Sequence, residues 1–122
     1  MSTVDRLEAM LEAGRDSALL RFGLGSEYRA LGDLERALTH FAAATEMAPA
    51  HSAAWKLHGR TLADLGRYEE AVAVFTTGIG IAEENGDLQA VKEMQVFRRR
   101  ALRQSTAGGA DAGSSGSPEG RG

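Results

Sequence analysis

Few side chains in this chain are chemically able, and their spacing is poor for catalysis. Three histidines occur, His40, His51 and His58, and there is no cysteine. No two of them fall at the i, i+4 spacing that presents a ligand pair from one helix face, and the thiolates that complete most structural zinc sites are missing. No metal site is expected. His58 stands in an apolar slot and reads as a core or half-buried residue. Ser26 with His58 is the single pairing that resembles a nucleophile and its base, yet nothing places an orienting acid or oxyanion donors beside them. The glycines mark helix stops or lie in the tail, so Gly23-Leu24-Gly25 is a packing feature rather than a phosphate-binding loop. The chain is read as a non-enzyme, with no catalytic residue and no cofactor.

Charge sorts the remaining function classes. The formal net charge is −3 over 122 residues and the isoelectric point is near 5.6, so no global field draws the chain to nucleic acid or to an anionic membrane. Any basic surface must be local. Arg98, Arg99, Arg100 and Arg103 form one, readable either as a solvated C-terminal turn favoured by the helix dipole or as a patch for an acidic partner. The absence of interleaved exposed aromatics argues against nucleic acid. Acids within the first eight residues replace the apolar core of a secretory signal, and no apolar run approaches the roughly 20 residues a membrane crossing needs. Lack of cysteine fits a reducing compartment. The expected location is cytoplasmic.

The elements that carry these residues follow from a repeat. Shifted by 34 residues, the chain aligns Gly25 with Gly59, Leu31 with Leu65, Gly32 with Gly66, Glu35 with Glu69, Ala37 with Ala71, Phe41 with Phe75 and Ala48 with Ala82. Two units result, 18–51 and 52–85. In the first, Leu20, Leu24, Tyr28 and Leu31 recur at helical spacing, Gly32 stops the helix, and Asp33 caps the next one. That second helix carries Ala37, Leu38, Phe41, Ala44 and Thr45 on one face and stops before Pro49. The second unit repeats the plan, with helices over about 53–65 and 68–84 around Gly66. Leu7, Met10 and Leu11 predict a short leading helix within 1–17, and 86–104 a closing helix with Leu88, Val91, Met94 and Leu102 turned inward. The Gly/Ser-rich stretch 105–122 is expected to be disordered, because it has too little apolar surface to offset chain entropy. Gly78 and Gly80 both fall inside a helix, where each weakens it by about 1 kcal/mol relative to Ala; Gly78 is assigned to close packing on the closing helix, and Gly80 has no assigned role.

This arrangement resembles the tetratricopeptide repeat family, in the form of a small bacterial-type two-repeat protein. The second unit supplies Trp55, Gly59, Leu62, Gly66, Tyr68, Ala71 and Phe75 at the family spacing; the first supplies Leu24, Gly25, Tyr28, Gly32, Ala37, Phe41, Ala44 and Pro49. Arg21, His58 and Glu83 depart from it, standing where Trp, Leu and Pro are usual. Glu83 implies that the second helix of unit two runs past the normal stop. The resemblance implies an all-α fold, an α-solenoid of antiparallel helix hairpins with leading and C-terminal capping helices. It also implies a protein or peptide partner, held in a concave groove lined by the first helix of each unit.

Carried over by position, the groove residues are Leu19, Phe22, Ser26 and Arg29 in unit one and Ala53, Lys56, Arg60 and Ala63 in unit two. Lys56 and Arg60 project from the same face one turn apart, which suits an acidic or C-terminal peptide. The plainer alternative makes them ordinary solvated charges, with Phe22 covered by the leading helix. The carboxylate clamp of chaperone-binding members needs Lys and Asn where this chain has Phe22 and Ser26, so chaperone binding is not expected. A second functional class is a self-associating unit that stacks through its terminal helices. The expected state is a monomer or a weak homo-oligomer, without nucleic acid and without membrane.

Overall fold

The computed structural model describes residues 1–114, with side chains through residue 107. Every regular element among them is an α-helix: α1 (Thr3–Glu12), α2 (Ala18–Ala30), α3 (Leu34–Met47), α4 (Ser52–Asp64), α5 (Tyr68–Asn85) and α6 (Leu88–Ser114). Each helix packs on the next in chain order, and α6 also reaches back to α4. The result is an all-α solenoid of antiparallel hairpins.

Local chemistry sets the boundaries. Ser2 opens α1 with a reciprocal capping box, its hydroxyl accepting from the Asp5 amide while the Asp5 carboxylate accepts from the Ser2 amide. Ser17 caps α2 by accepting from the Leu20 amide, and Asp33 caps α3 by accepting from the Arg36 amide. The turn inside each hairpin is one device used twice. Gly32 (φ 82°) and Gly66 (φ 78°) adopt the left-handed conformation. The next amide then bonds back across the helix end, Asp33 to the Tyr28 carbonyl and Arg67 to the Leu62 carbonyl, both at 2.9 Å. Pro49 follows the end of α3. With Glu83 in the corresponding place, α5 continues for 18 residues against 14 in α3.

The apolar seam has two centres. Phe41 is fully buried among Leu20, Leu24, Tyr28 and Ala37, with Val4, Leu7 and Leu11 of α1 against it. Phe75 is fully buried among Leu62, Ala71, Ile79, Val91, Met94 and Ala101. Each ring lies flat against a glycine of the preceding helix. A methyl group on Gly25 would sit 2.7 Å from the Phe41 ring, and one on Gly59 2.7 Å from Cδ1 of Phe75 and nearer still to Cε1. Gly78 lets α5 touch both neighbours, since a side chain there would meet Trp55 Cβ at 2.7 Å and Met94 Sδ at 2.8 Å. Trp55 itself is only half-buried and donates its indole N–H to the Pro49 carbonyl at 2.8 Å.

Three expectations are corrected. Leu88 and Leu102 do not face inward on α6; they are 65% and 48% exposed, and the inner face is Ala90, Val91, Met94, Phe97 and Ala101. Close contact with α5 favours small residues at two of those positions, so the leucines mislead. Leu31, read as part of the apolar stripe, is the exposed C-cap of α2. The closing helix also passes Gln104 and continues to Ser114, so the tail expected from residue 105 is helical over its first ten residues. Extending an existing helix adds one hydrogen bond per residue without a new nucleation cost. The expectation for 115–122 lies outside the described residues.

Candidate functional site

The residues assigned to a groove lie on α2 and α4, which Arg29 ties together, and α6 lines the depressions beside Ala53 and Lys56 and beside Arg60 and Ala63. Leu19, at the start of α2, is 77% exposed. One turn on, Phe22 is half-buried, with its ring centroid 5.9 Å from Phe41 and 4.8 Å from His51. Ser26 follows, half-buried, and Arg29 ends the row. The leading helix does not occupy this face. It docks on α2 with Leu7 over Gly23, and Glu8 accepts from the Tyr28 hydroxyl while lying 3.9 Å from His40 Nε2. It is a cap on the first hairpin.

The cations are not a free strip. Arg29 donates to Thr61 Oγ1 at 3.0 Å and pairs with Asp64 at 2.7 Å, tying α2 to α4. Lys56 pairs with Glu93 of α6 at 2.9 Å, and that hydrogen bond and charge hold the Glu93 carboxyl below the usual carboxylate range. Ala53 and Lys56 share a depression with Asp87, Gln89, Ala90 and Glu93. Arg60 takes a different partner: its guanidinium lies 4.6 Å from the centroid of the Phe97 ring, and Arg100 lies 5.9 Å from the same ring. Arg60 and Ala63 line a cleft of about 240 Å³ with Asp64, Tyr68, Phe75, Phe97, Arg100, Ala101 and Gln104.

Sequence reasoning missed Glu93 and Phe97 as neighbours of Lys56 and Arg60, and it named Arg100 only as part of the separate basic cluster. Glu93, Phe97, Arg100 and Gln104 follow the i, i+4, i+7, i+11 spacing of a helix edge, so a signal existed. It was hidden because α6 was read for its apolar stripe and for the Arg98, Arg99, Arg100 and Arg103 cluster, not as a neighbour of the α4 residues.

Each histidine packs against an aromatic ring, His51 on Phe22, His40 on Tyr28 and His58 on Trp55. His40 is buried, stacked on Tyr28 with centroids 5.6 Å apart, and its Nδ1 lies 3.3 Å from the Arg21 guanidinium, which also holds Asp16 at 2.8 Å. His58 lies 3.3 Å from Thr45 Oγ1 and stacks beside Trp55. Burial holds both imidazoles below their ordinary pKa of 6.5, so the neutral form is favoured. His51 precedes α4 without a side-chain capping bond. Among the described residues Ser26 makes no side-chain hydrogen bond to His58, and no group of three His, Cys, Asp or Glu is gathered as for a metal ion. In the basic cluster, Arg98 donates to Thr76 Oγ1 at 3.2 Å, while Arg99 and Arg103 are exposed. No helix among the described residues is long and apolar enough to cross a membrane.

Comparison with known proteins agrees with this geometry. Residues 22–85 match the tetratricopeptide repeat model. A TPR repeat-containing protein of Pseudomonas aeruginosa is 44% identical over 103 residues, covering 84% of this chain and 98% of that protein. The solution structure of a Bordetella parapertussis protein superposes with a TM-score of 0.74 at 41% identity, covering 88% of this chain and 93% of the other. The crystal structure of a tetratricopeptide repeat domain protein from Salinibacter ruber gives a TM-score of 0.66 at 24% identity, covering 71% of this chain and 97% of its own, a likeness of fold.

Proposed function

The chain belongs to the tetratricopeptide repeat family, and from that premise we propose that it is a non-catalytic, cytoplasmic scaffold binding a partner protein through the face shared by α2, α4 and α6. The observation that supports this reading is the row along α2 of exposed Leu19 and half-buried Phe22 and Ser26, with half-buried Ala53 and Arg60 on α4. Leu19 and Phe22 offer an apolar anchor, and the α4–α6 edge offers cations at the other end. An extended acidic segment or a helix with one acidic edge matches that sequence of surfaces. The Lys56–Glu93 and Arg29–Asp64 pairs fix the walls, which lowers the ordering cost of binding.

Capture of partners from native lysate tests it. The double variant Lys56→Ala with Arg60→Glu, checked for an unchanged circular dichroism melt, should retain less than about a tenth of the captured partner, the loss expected when a charged contact is reversed. Undiminished capture by the folded variant removes this face as the site.

One observation favours a second reading, self-association. Leu88, Val96 and Leu102 are exposed on the side of α6 turned away from α5, where a further hairpin would stack in a longer array. Sedimentation at several concentrations separates the two: a monomer that still captures a partner supports the scaffold, and a mass rising with concentration supports stacking.

A further inference from the structure

We infer that the cleft between α4, α5 and α6 is an acid-reading subsite: Arg60 and Arg100, both resting on Phe97, receive the side-chain carboxylate of a Glu or Asp in a partner segment crossing the groove. The assignment rests on the groove reading above and adds to it where, and by which residues, charge is read.

Four observations support it. Arg60 and Arg100 belong to different helices, yet both lie within 6 Å of one ring, at 4.6 and 5.9 Å from its centroid. Among the described residues neither makes an ion pair, whereas Arg29, Lys56 and Arg67 all do. A guanidinium held over an aromatic face has its charge partly compensated, while its in-plane N–H groups stay available to a carboxylate. Two such groups converging on one cleft form a receptor for an anion.

Second, the platform is rigid. Phe97 stacks on the fully buried Phe75 at 6.0 Å with 26° between the rings, so the core holds the surface that orients both arginines. Third, the only acid lining the cleft among the described residues, Asp64, is already engaged by Arg29 at 2.7 Å, and neighbouring Glu93, whose charge also interacts with Arg60, is held by Lys56 at 2.9 Å. The cleft therefore keeps a positive balance inside a chain whose net charge is −3. Fourth, the cleft is continuous with its surroundings through shared lining residues. Arg60 and Ala63 connect it to the groove, and past Tyr68 and Gln104 a second depression continues with Gly66, Arg67, Glu69, Glu70 and Ser105. A chain terminus requires a wall to stop against. A cleft that continues into a neighbouring depression suits an internal acidic side chain, with the aromatic edges of Tyr68 and Phe97 against its methylenes.

The test is a nitrogen-15 NMR titration of the full chain with three pentapeptides. The first is acetylated and amidated Ala-Leu-Glu-Leu-Ala, the second its Gln counterpart, and the third the Gln peptide with a free C-terminus. The first should shift Arg60, Phe97 and Arg100 resonances saturably and bind about tenfold more tightly than the other two, the preference expected of one charge-assisted contact. Arg60→Gln and Arg100→Gln should each abolish that preference, while Arg99→Gln and Arg103→Gln leave it intact. Equal binding of the Glu and Gln peptides, a preference that disappears with Arg99 or Arg103 instead, or tighter binding of the free-terminus peptide would each overturn the subsite. Groove shifts at Leu19, Phe22 and Ala53 without a Glu preference defeat the subsite alone. Absence of shifts anywhere on the face overturns the groove reading together with it.

Discussion

The two hairpins share one skeleton and differ in how they are covered. In each, a glycine of the first helix receives the flat ring of a phenylalanine from the second, Gly25 under Phe41 and Gly59 under Phe75. In each, a left-handed glycine closes the turn. The first hairpin is then covered by the ten-residue α1, which buries no residue fully and fastens itself through Glu8 to Tyr28 and His40. The second is covered by α6, which inserts Met94 beside Gly78 and lays Phe97 on Phe75. A repeat thus fixes the seam and leaves the terminal covers free to diverge, one short and fastened through Glu8 as well as Val4, Leu7 and Leu11, the other apolar and shared with the proposed binding face.

The largest expected effect tests the shared skeleton. Phe41→Ala and Phe75→Ala should each cost about 3–5 kcal/mol, as for large buried aromatics, read as the midpoint shift in urea unfolding. A loss under about 1 kcal/mol for either would deny that its ring fills the seam. Next come the glycines. Gly59→Ala should cost about 1–3 kcal/mol by overpacking against Phe75. Gly80→Ala, with nothing within 4 Å of an added methyl, should stabilise by about 0.5–1 kcal/mol. Thermal melts that move both variants the same way would break the contrast.

The covers are separated by Glu8→Ala. It should cost roughly 1–2 kcal/mol, discounting for partial exposure, and speed amide exchange in α1 while α6 is unchanged. Exchange that quickens equally in both helices would mean they do not act as independent covers.

The smallest effect is pH dependence. Both imidazoles, buried His40 and half-buried His58, have a depressed folded-state pKa, so the unfolded chain binds protons more readily around pH 6.5 and below. Their contribution is complete above that value and is lost as pH falls through the folded pKa. The melting temperature should drop as pH falls below about 6.5, and the slope should flatten in the His40→Gln, His58→Gln double variant. Glu93, Asp16 and Glu70, whose pKa values are lowered from 4.5, 3.8 and 4.5, act below that window. An unaltered slope in the double variant would assign the effect elsewhere.

Much of the fold was legible because each signal repeated. Gly32 and Gly66, Phe41 and Phe75, and Gly25 and Gly59 appear twice at one spacing, and coincidence does not do that. The ends were harder. Leu88 and Leu102 look like core residues by type, yet the close α5–α6 contact prefers Ala90 and Ala101, a choice visible only in three dimensions. The face was half legible. Position named Arg60 and Lys56, but sequence could not say that Glu93 neutralises one and Phe97 supports the other, because those partners lie 37 residues away on a helix outside the repeat. Pairing across such a distance depends on how α6 settles.

The central claim is that the partner lies along α2, α4 and α6. Photo-crosslinking groups placed singly at Leu19 and Ala53 on that face, and at Ala42 and Ala73 on the exposed sides of α3 and α5, test it directly in native lysate. Adducts with one common partner from the first two positions and none from the last two are predicted. Adducts from Ala42 or Ala73, with none from Leu19 or Ala53, would contradict it.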